Sequence, residues 1–186
     1  MKASVNDNPR QELLIRPATI TDIALITKVH TASWKSAYKN ILSKEYLENE
    51  VENEKKAHWN QELSHPTSKY NFVLLAIERS VPVGFIGVYD VIDGSYDAFI
   101  DNLHIMPDQK GKGVGQKLMA AAAEKLDSFN KKSVYLWVYN DNLPAFGFYE
   151  KLGGIIGDKS ICIIHGKEIT QTRFYWNDFT SLKSIS

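Results

Sequence analysis

Residues 109–115, Gln109-Lys110-Gly111-Lys112-Gly113-Val114-Gly115, have the composition of a loop that holds phosphate. Three glycines allow tight turning with positive φ and let a ligand come close to the backbone. Before them lies a strand-like run, Ala98-Phe99-Ile100-Asp101-Asn102-Leu103-His104-Ile105, and after them a helix-like run beginning Gln116-Lys117-Leu118-Met119. The first amides of such a helix have no internal partner, and its dipole favours an anion at that end. Lys110 and Lys112 add positive charge at the same place. The chemistry indicated is the binding of a phosphorylated ligand by backbone amides.

Loop spacing separates the ligand classes. A triphosphate loop needs G-x-x-x-x-G-K-[ST], but Gly115 is followed by Gln116, Lys117 and Leu118, with no hydroxyl for a metal ion. A dinucleotide loop needs G-x-G-x-x-G in the first strand–helix turn; here the glycines run G-x-G-x-G, after several strand-like segments. Further along, a strand-like run ends in Asn140 and is followed by Asp141-Asn142-Leu143-Pro144-Ala145-Phe146-Gly147-Phe148-Tyr149-Glu150-Lys151-Leu152-Gly153-Gly154.

These two segments together resemble the GNAT superfamily of acetyl-CoA-dependent N-acetyltransferases. The loop is similar to that family's [Q/R]-x-x-G-x-[G/A], with Lys110 in the Gln/Arg position and Gly113 and Gly115 as the glycines. The second segment is similar to N-x-x-A-x-x-x-Y-[ED]-K-x-G-[FG], with one extra residue between Asn140 and Ala145. The opening Leu14-Ile15-Arg16-Pro17-Ala18-Thr19 and the run His30-Thr31-Ala32-Ser33-Trp34 also resemble a bacterial GNAT subgroup, so the likeness covers residues 13–176. It implies acetyl-CoA as cosubstrate, held by the strand at Leu103, His104 and Ile105, by Lys110, Gly111, Lys112, Gly113, Val114 and Gly115, and by Asn140, Ala145 and Tyr149. It implies Tyr149 beside the thioester sulfur as general acid. The strands at residues 96–105 and 134–138 would splay, with the pantetheine in the V between them.

The chain has 186 residues, enough for one domain with a full core. The expected division is a tail at 1–12, a single catalytic domain at 13–178 and a tail at 179–186. Lys plus Arg and Asp plus Glu are both 22, so no basic footprint marks a nucleic-acid partner. One cysteine, Cys162, rules out an internal disulfide framework and fits a reducing, cytoplasmic setting. Residues 1–10 lack the apolar segment of a signal peptide, and no run reaches membrane-spanning length. The five histidines lack metal-ligand spacing, so no metal site is expected.

Hydrophobic periodicity and turn residues predict strands at 13–16, 72–77, 83–89, 96–105 and 134–138, and a last hairpin at 155–164 and 168–176 turning at His165-Gly166-Lys167. Helices are expected at 22–34, capped by Thr21, then at 44–63, 113–129 and 143–152. This is an α/β (α+β) fold: a mixed, mostly antiparallel sheet of about seven strands with helices on both faces. The apolar hairpin at 155–164 would permit a homodimer.

Acetyl transfer to an amine requires a neutral nucleophile, donors for the tetrahedral oxyanion and a proton for the leaving thiolate. An alkylammonium has a pKa of about 10, so a base or a proton wire helps. The position where many relatives carry a Glu falls on Phe99, which cannot act. Asp101, two residues on, is the candidate base; His104 and a water wire are the alternatives. Simple alternation groups Asp101 with Leu103 and Ile105, and Asn102 with His104. The bulge implied by the family likeness would break that alternation. Taken alone, Asp101 reads as a structural carboxylate and Tyr149 as a core aromatic. His30, Trp34 and Tyr38 recur every four residues, a stripe that is ordinarily core. In the family this helix roofs the acceptor site, so Trp34 and Tyr38 are candidates to line it. A GNAT-like sensor that binds CoA without catalysis is the competing function, for which the loss of Glu at Phe99 speaks and the intact Tyr149 does not.

Overall fold

Seven strands form one sheet in the order β1-β2-β3-β4-β5-β7-β6. The computed structural model describes residues 13–91 and 94–184. The strands are β1 (Leu14–Pro17), β2 (Phe72–Glu78), β3 (Val81–Asp90), β4 (Ala98–Ile105), β5 (Val134–Tyr139), β6 (Ile155–Ile164) and β7 (Lys167–Trp176). Every neighbouring pair is antiparallel except β4 with β5. The helices are α1 (Ile23–Ala37), α2 (Lys44–Asn49), α3 (Val51–Ser64), α4 (Val114–Ser128), α5 (Leu143–Lys151) and α6 (Thr180–Lys183).

Strand alternation sends two sets of apolar side chains to opposite faces. On one face Leu74, Ile86, Val88, Ile100, Leu136 and Phe174 pack with Leu118, Met119 and Ala122 of α4, Tyr149 of α5 and Leu152 just after it. On the other, Val73, Leu75 and Phe85 pack with Ile26 and Val29 of α1 and Trp59 of α3. A third, smaller cluster joins Leu42, Tyr46, Leu47 and Val51 with Trp34, Tyr38 and Ile164. It seats α2 over the turn between β6 and β7. Lys167 Nζ adds a 2.7 Å hydrogen bond to the carbonyl of Ile41 across the same gap.

Three expected boundaries change. The region 44–63 is two helices, because Glu50 (φ −117°, ψ −38°) breaks the run between α2 and α3. Ser43 accepts from the amide of Tyr46 and so starts α2. The start of α1 is fixed by Thr19 and Asp22 rather than Thr21: Asp22 accepts from the amide of Thr19 at 2.9 Å and a bidentate pair from Arg16 at 2.7 and 2.8 Å. At the other end, residues 180–183 are the helix α6 rather than frayed chain, and Phe179 and Leu182 are buried in the main core. The expected tail at 1–12 lies outside the described residues. Among those described, no helix is long and apolar enough to cross a membrane. β6 is an edge strand that leaves Ile161 and Ile163 exposed.

Two histidines lie under α1 in the second layer. His30 is buried and His104 is stacked on it, ring centroids 4.3 Å apart. Burial, followed by the charges of His104, Lys55 and His58, pushes His30 well below the usual imidazole range. Burial, with Lys55 and Lys110, lowers His104 to about 3. Both imidazoles are neutral when folded and bind protons when unfolded below pH of about 6.5. Their contribution to stability is therefore full above that pH and is lost as pH falls toward their folded values. Two such groups give a slope of up to about 2.7 kcal/mol per pH unit. Asp101, whose carboxyl is raised, acts in the opposite direction. Urea midpoints should fall steadily from pH 7 to pH 5; a flat profile over that interval would show that the pair is not held neutral.

Candidate functional site

β4 and β5 start side by side and then part. Only two residue pairs join them, Ala98 with Val134 and Phe99 with Tyr135. The rings of Phe99 and Tyr135 stack at 4.9 Å and close the apex of the V. Beyond them, the edge of β4 that faced β5 has no strand partner. Alternation sends the backbone N–H and C=O of Leu103 and Ile105 to that open edge, where an extended ligand can pair with them, while those of His104 face β3, in line with the bond from the Met106 amide to Val83.

The glycine loop stands past the open end of β4. Gly113 takes φ +83° and is the residue before α4, a conformation that strains any residue with a Cβ. No side chain caps α4. The first amides of α4, from Val114 onward, thus present unshared donors and the positive end of a 15-residue helix. Gly115 lies against α5: a Cβ there would stand 3.1 Å from the Phe148 ring. Lys110 and Lys112 are exposed on the loop, and Lys112 Nζ donates to Gln109 at 3.1 Å. This donor set fits a pyrophosphate on chemical grounds, with amides to hold its oxygens and ammonium groups to balance its charge.

Asn140 ends β5 on the opposite wall. Its amide donates to Thr170 at 2.9 Å, and its side-chain oxygen accepts from the Thr172 hydroxyl at 2.8 Å. Two residues on, Asn142 accepts from the amide of Ala145 and starts α5, so the extra residue in this segment is absorbed by the helix cap. Ala145 lies in the first turn of α5 and packs on the main core. Tyr149, further along α5, is buried between Phe174 and Trp176. Its hydroxyl makes no hydrogen bond to the described residues. Burial, and then the nearby Tyr38, push its phenol far above the ordinary range.

The face of β4 and β5 opposite α4 and α5 carries the remaining candidates. The pairing of β3 with β4 skips Asp101: Val88 faces Ile100 and Gly87 faces Asn102. Asp101 is the bulged residue, which breaks the simple alternation. Its carboxylate accepts from Asn102 Nδ2 at 2.7 Å. It reaches solvent but sits in a recess, and that partial enclosure raises its pKa. His58, Glu62 and Lys55 of α3 act on it electrostatically, which puts its carboxylate on the α3 side. Tyr139 on β5 feels Tyr38, Cys162 and Asp101 in turn.

Trp34 and Tyr38 cover this recess. Their rings meet edge to face at 5.0 Å, and Tyr38 leans on Tyr139 at 5.5 Å. Burial lifts the Tyr38 phenol to about 12. Lys55, itself buried, sets its ammonium 3.4 Å from the Trp34 ring centre and 2.7 Å from Glu54. Glu54 also accepts from the Tyr46 hydroxyl at 2.9 Å and faces His165 at 3.8 Å, which ties the roof to the tip of the β6–β7 turn. Sequence reasoning did not find Tyr139, Lys55, His58 or Glu62. Tyr139 carried a signal in the alternation of β5, whereas the α3 groups reach the site only through tertiary packing. His104 faces α1, where its Nδ1 lies 3.1 Å from Ser33 Oγ. Cys162 donates weakly to the carbonyl of Ile169. Among the described residues, no group of three or more His, Cys, Asp or Glu side chains is placed to hold a metal ion.

Known proteins share this fold. The family model for the acetyltransferase (GNAT) family matches residues 33–154. The uncharacterized N-acetyltransferase YuaI of Bacillus subtilis (strain 168) is 25% identical over 92% of this chain and 96% of its own. The spermidine N(1)-acetyltransferase of Thermoplasma acidophilum is 27% identical over 77% of this chain and 89% of its own. The crystal structure of the PaiA N-acetyltransferase from Thermoplasma acidophilum, in complex with coenzyme A, superposes with a TM-score of 0.71 at 24% identity, covering 87% of this chain and 98% of that one. The parted strands, the uncapped glycine-loop helix and the family match over residues 33–154 lead to one assignment: the chain belongs to the GNAT acetyltransferase family and is an N-acetyltransferase.

Proposed function

We propose that the protein transfers the acetyl group of acetyl-CoA directly to a primary amine, with both substrates bound at once. The observation that carries this reading is the opening between β4 and β5. It has anion-binding amides at one end, Tyr149 on one face and Asp101 on the other. The pyrophosphate rests on residues 110–115, and the pantetheine runs along the free edge of β4 at Leu103, His104 and Ile105. Asn140 and Ala145 form the opposite wall.

The acceptor enters from the face roofed by Trp34 and Tyr38. An ammonium is attracted both by the Asp101 carboxylate and by the faces of the surrounding rings. Asp101 takes the proton, and the neutral nitrogen attacks the thioester carbon. The C–S bond then breaks and Tyr149 gives its proton to the sulfur. The same enclosure that raises the phenol also disfavours a bare thiolate at that place, so proton transfer accompanies bond breaking. The acetylated amine and CoA leave, and solvent restores both groups. No covalent enzyme intermediate is needed.

Relatives give the first acceptors to try: one is named for spermidine and another as a putative alanine N-acetyltransferase of ribosomal protein bS18. Acetyl-CoA and CoA should raise the melting temperature while ATP and NAD do not, by roughly 2.7 kcal/mol of apparent stability at a hundredfold excess over Kd. Gly113→Ala should weaken that shift, because Ala at φ +83° carries a strain of about 1–2 kcal/mol. With spermidine or an alanine-terminated peptide, Tyr149→Phe should lower kcat by roughly a hundredfold, the usual scale of general acid catalysis, with CoA affinity unchanged. Turnover equal to wild type would end the general-acid role. Asp101→Asn should remove the acid limb of the kcat/KM profile; an unaltered limb would show that a water wire takes the proton.

A further inference from the structure

The end of β4 needs support that the sheet does not give it. After Phe99 it pairs with β3 alone. A strand with one open edge can drift toward β5 and close the V, or away from it and spoil the spacing. On the α4 side, Leu103 and Ile105 pack into the main core. On the α1 side the contact is of a different kind.

There, His104 is held by α1. Its Nδ1 is within 3.1 Å of Ser33 Oγ, and its ring stacks on His30 with centroids 4.3 Å apart and planes 30° from parallel. His30 is fixed in turn by α3, because Trp59 Nε1 donates to His30 Nδ1 at 3.0 Å. An indole N–H can only donate, so this bond requires Nδ1 of His30 to be unprotonated. The neutral ring then carries its proton on Nε2. That nitrogen is buried and has no partner among the described residues. His30 is 3% exposed, Ser33 4% and Trp59 0%. Phe85 closes the group, 5.5 Å from His30 and 5.4 Å from His104.

An unsatisfied buried donor costs free energy that a phenylalanine at position 30 would avoid. What histidine adds is an acceptor for Trp59 and, through it, a ring whose orientation is set by a hydrogen bond rather than by packing alone. The chain Trp59–His30–His104–Ser33 therefore links α3 and α1 to the one strand whose position defines the opening.

We propose that His30, Ser33 and Trp59 are positioning residues that clamp the free end of β4 and hold it at the spacing acetyl-CoA requires. They touch neither substrate. The clamp acts on the backbone of residues 103–105, the segment whose free edge receives the pantetheine. This second half rests on the proposed reading that acetyl-CoA lies between β4 and β5; the clamping of β4 in the free protein does not.

Two measurements on the full chain separate these parts. The first is amide hydrogen exchange, in the absence of ligand, at His104 and Met106, whose amides face β3 at the free end of β4. The second is the Kd of CoA by calorimetry, at a temperature where each variant is fully folded. Ser33→Ala removes one hydrogen bond with little change in packing. It should speed exchange at these two amides by about tenfold relative to residues 98–100, and weaken CoA by a similar factor, the worth of about one net hydrogen bond. His30→Phe, which keeps a ring but loses the Trp59 bond, should do the same to a lesser degree. His30→Leu, which also loses the stack, should have the largest effect. Equal acceleration at these two amides and at residues 98–100 in Ser33→Ala and His30→Phe, with only a lowered Tm, would reduce the group to ordinary core and overturn the clamp. Faster exchange with an unchanged CoA Kd would overturn its role in spacing. Failure of the wild type to bind CoA would refute the ligand reading instead, while the exchange result would still decide the clamp.

Discussion

Everything at this site depends on β4 leaving β5 after two residue pairs. A parallel strand pair ordinarily continues, because each residue that leaves it gives up backbone hydrogen bonds. Here the departure has three local causes. The Phe99–Tyr135 stack fixes the last paired position. The bulge at Asp101 increases the local twist just beyond it. Packing on both faces then holds the strand in its new direction, through Leu103 and Ile105 on one side and His104 on the other. The unpaired backbone that results is a loss for folding and an asset for binding, since a ligand with amide groups of its own can complete the edge.

The same bulge puts Asp101, the proposed base, on the side of the opening away from Tyr149, the proposed acid. Tyr149 is fixed from the α5 side, deep in the aromatic packing of Phe174 and Trp176. Asp101 is turned to the α3 side and remains open to water. Each position suits its proposed role. A proton donor to a thiolate must stay protonated at neutral pH, and burial ensures that for a phenol. A group that removes a proton from an ammonium must pass it on, which requires contact with solvent. Partial enclosure raises Asp101 without sealing it, and a less acidic carboxyl is a stronger base.

Local chemistry was legible in the sequence and long-range placement was not. The glycine loop could be read because its strand, turn and helix are contiguous and the conformation at Gly113 is a property of that residue. The seven strands and their order of appearance followed from alternation and turn residues. The facing of Asp101 could not be read, because it is set by how β4 pairs with Gly87 and Val88 of β3. The division between α2 and α3 was hidden for a related reason: no glycine or proline interrupts 44–64, and only the backbone at Glu50 divides it. Its contribution to the site, Lys55, His58 and Glu62, depends on where α3 comes to rest on α1. Even α6, only four residues long, is too short to show a period, and its burial depends on two side chains, Phe179 and Leu182.

The stripe at positions 30, 34 and 38 shows how one helical repeat can hold several roles. The expected alternatives were core or acceptor lining, and the surroundings of the three side chains differ along the helix. His30 is interior and bonded to Trp59. Trp34 is the middle step, its ring under the Lys55 ammonium and edge-on to His30, Tyr38 and Tyr46. Tyr38 is the last, touching Tyr139 across the recess. A buried lysine is costly unless it is paired and stacked; Lys55 is both, and through Glu54 and Tyr46 it secures α2 as well. The roof is thus continuous with the support beneath β4: α1 presents His30 and Ser33 to the strand and Trp34 and Tyr38 to the recess. A displacement of α1 would move the free end of β4 and the recess together, so that, on the proposed reading, the spacing between the two substrates is a property of one helix rather than of two independent walls.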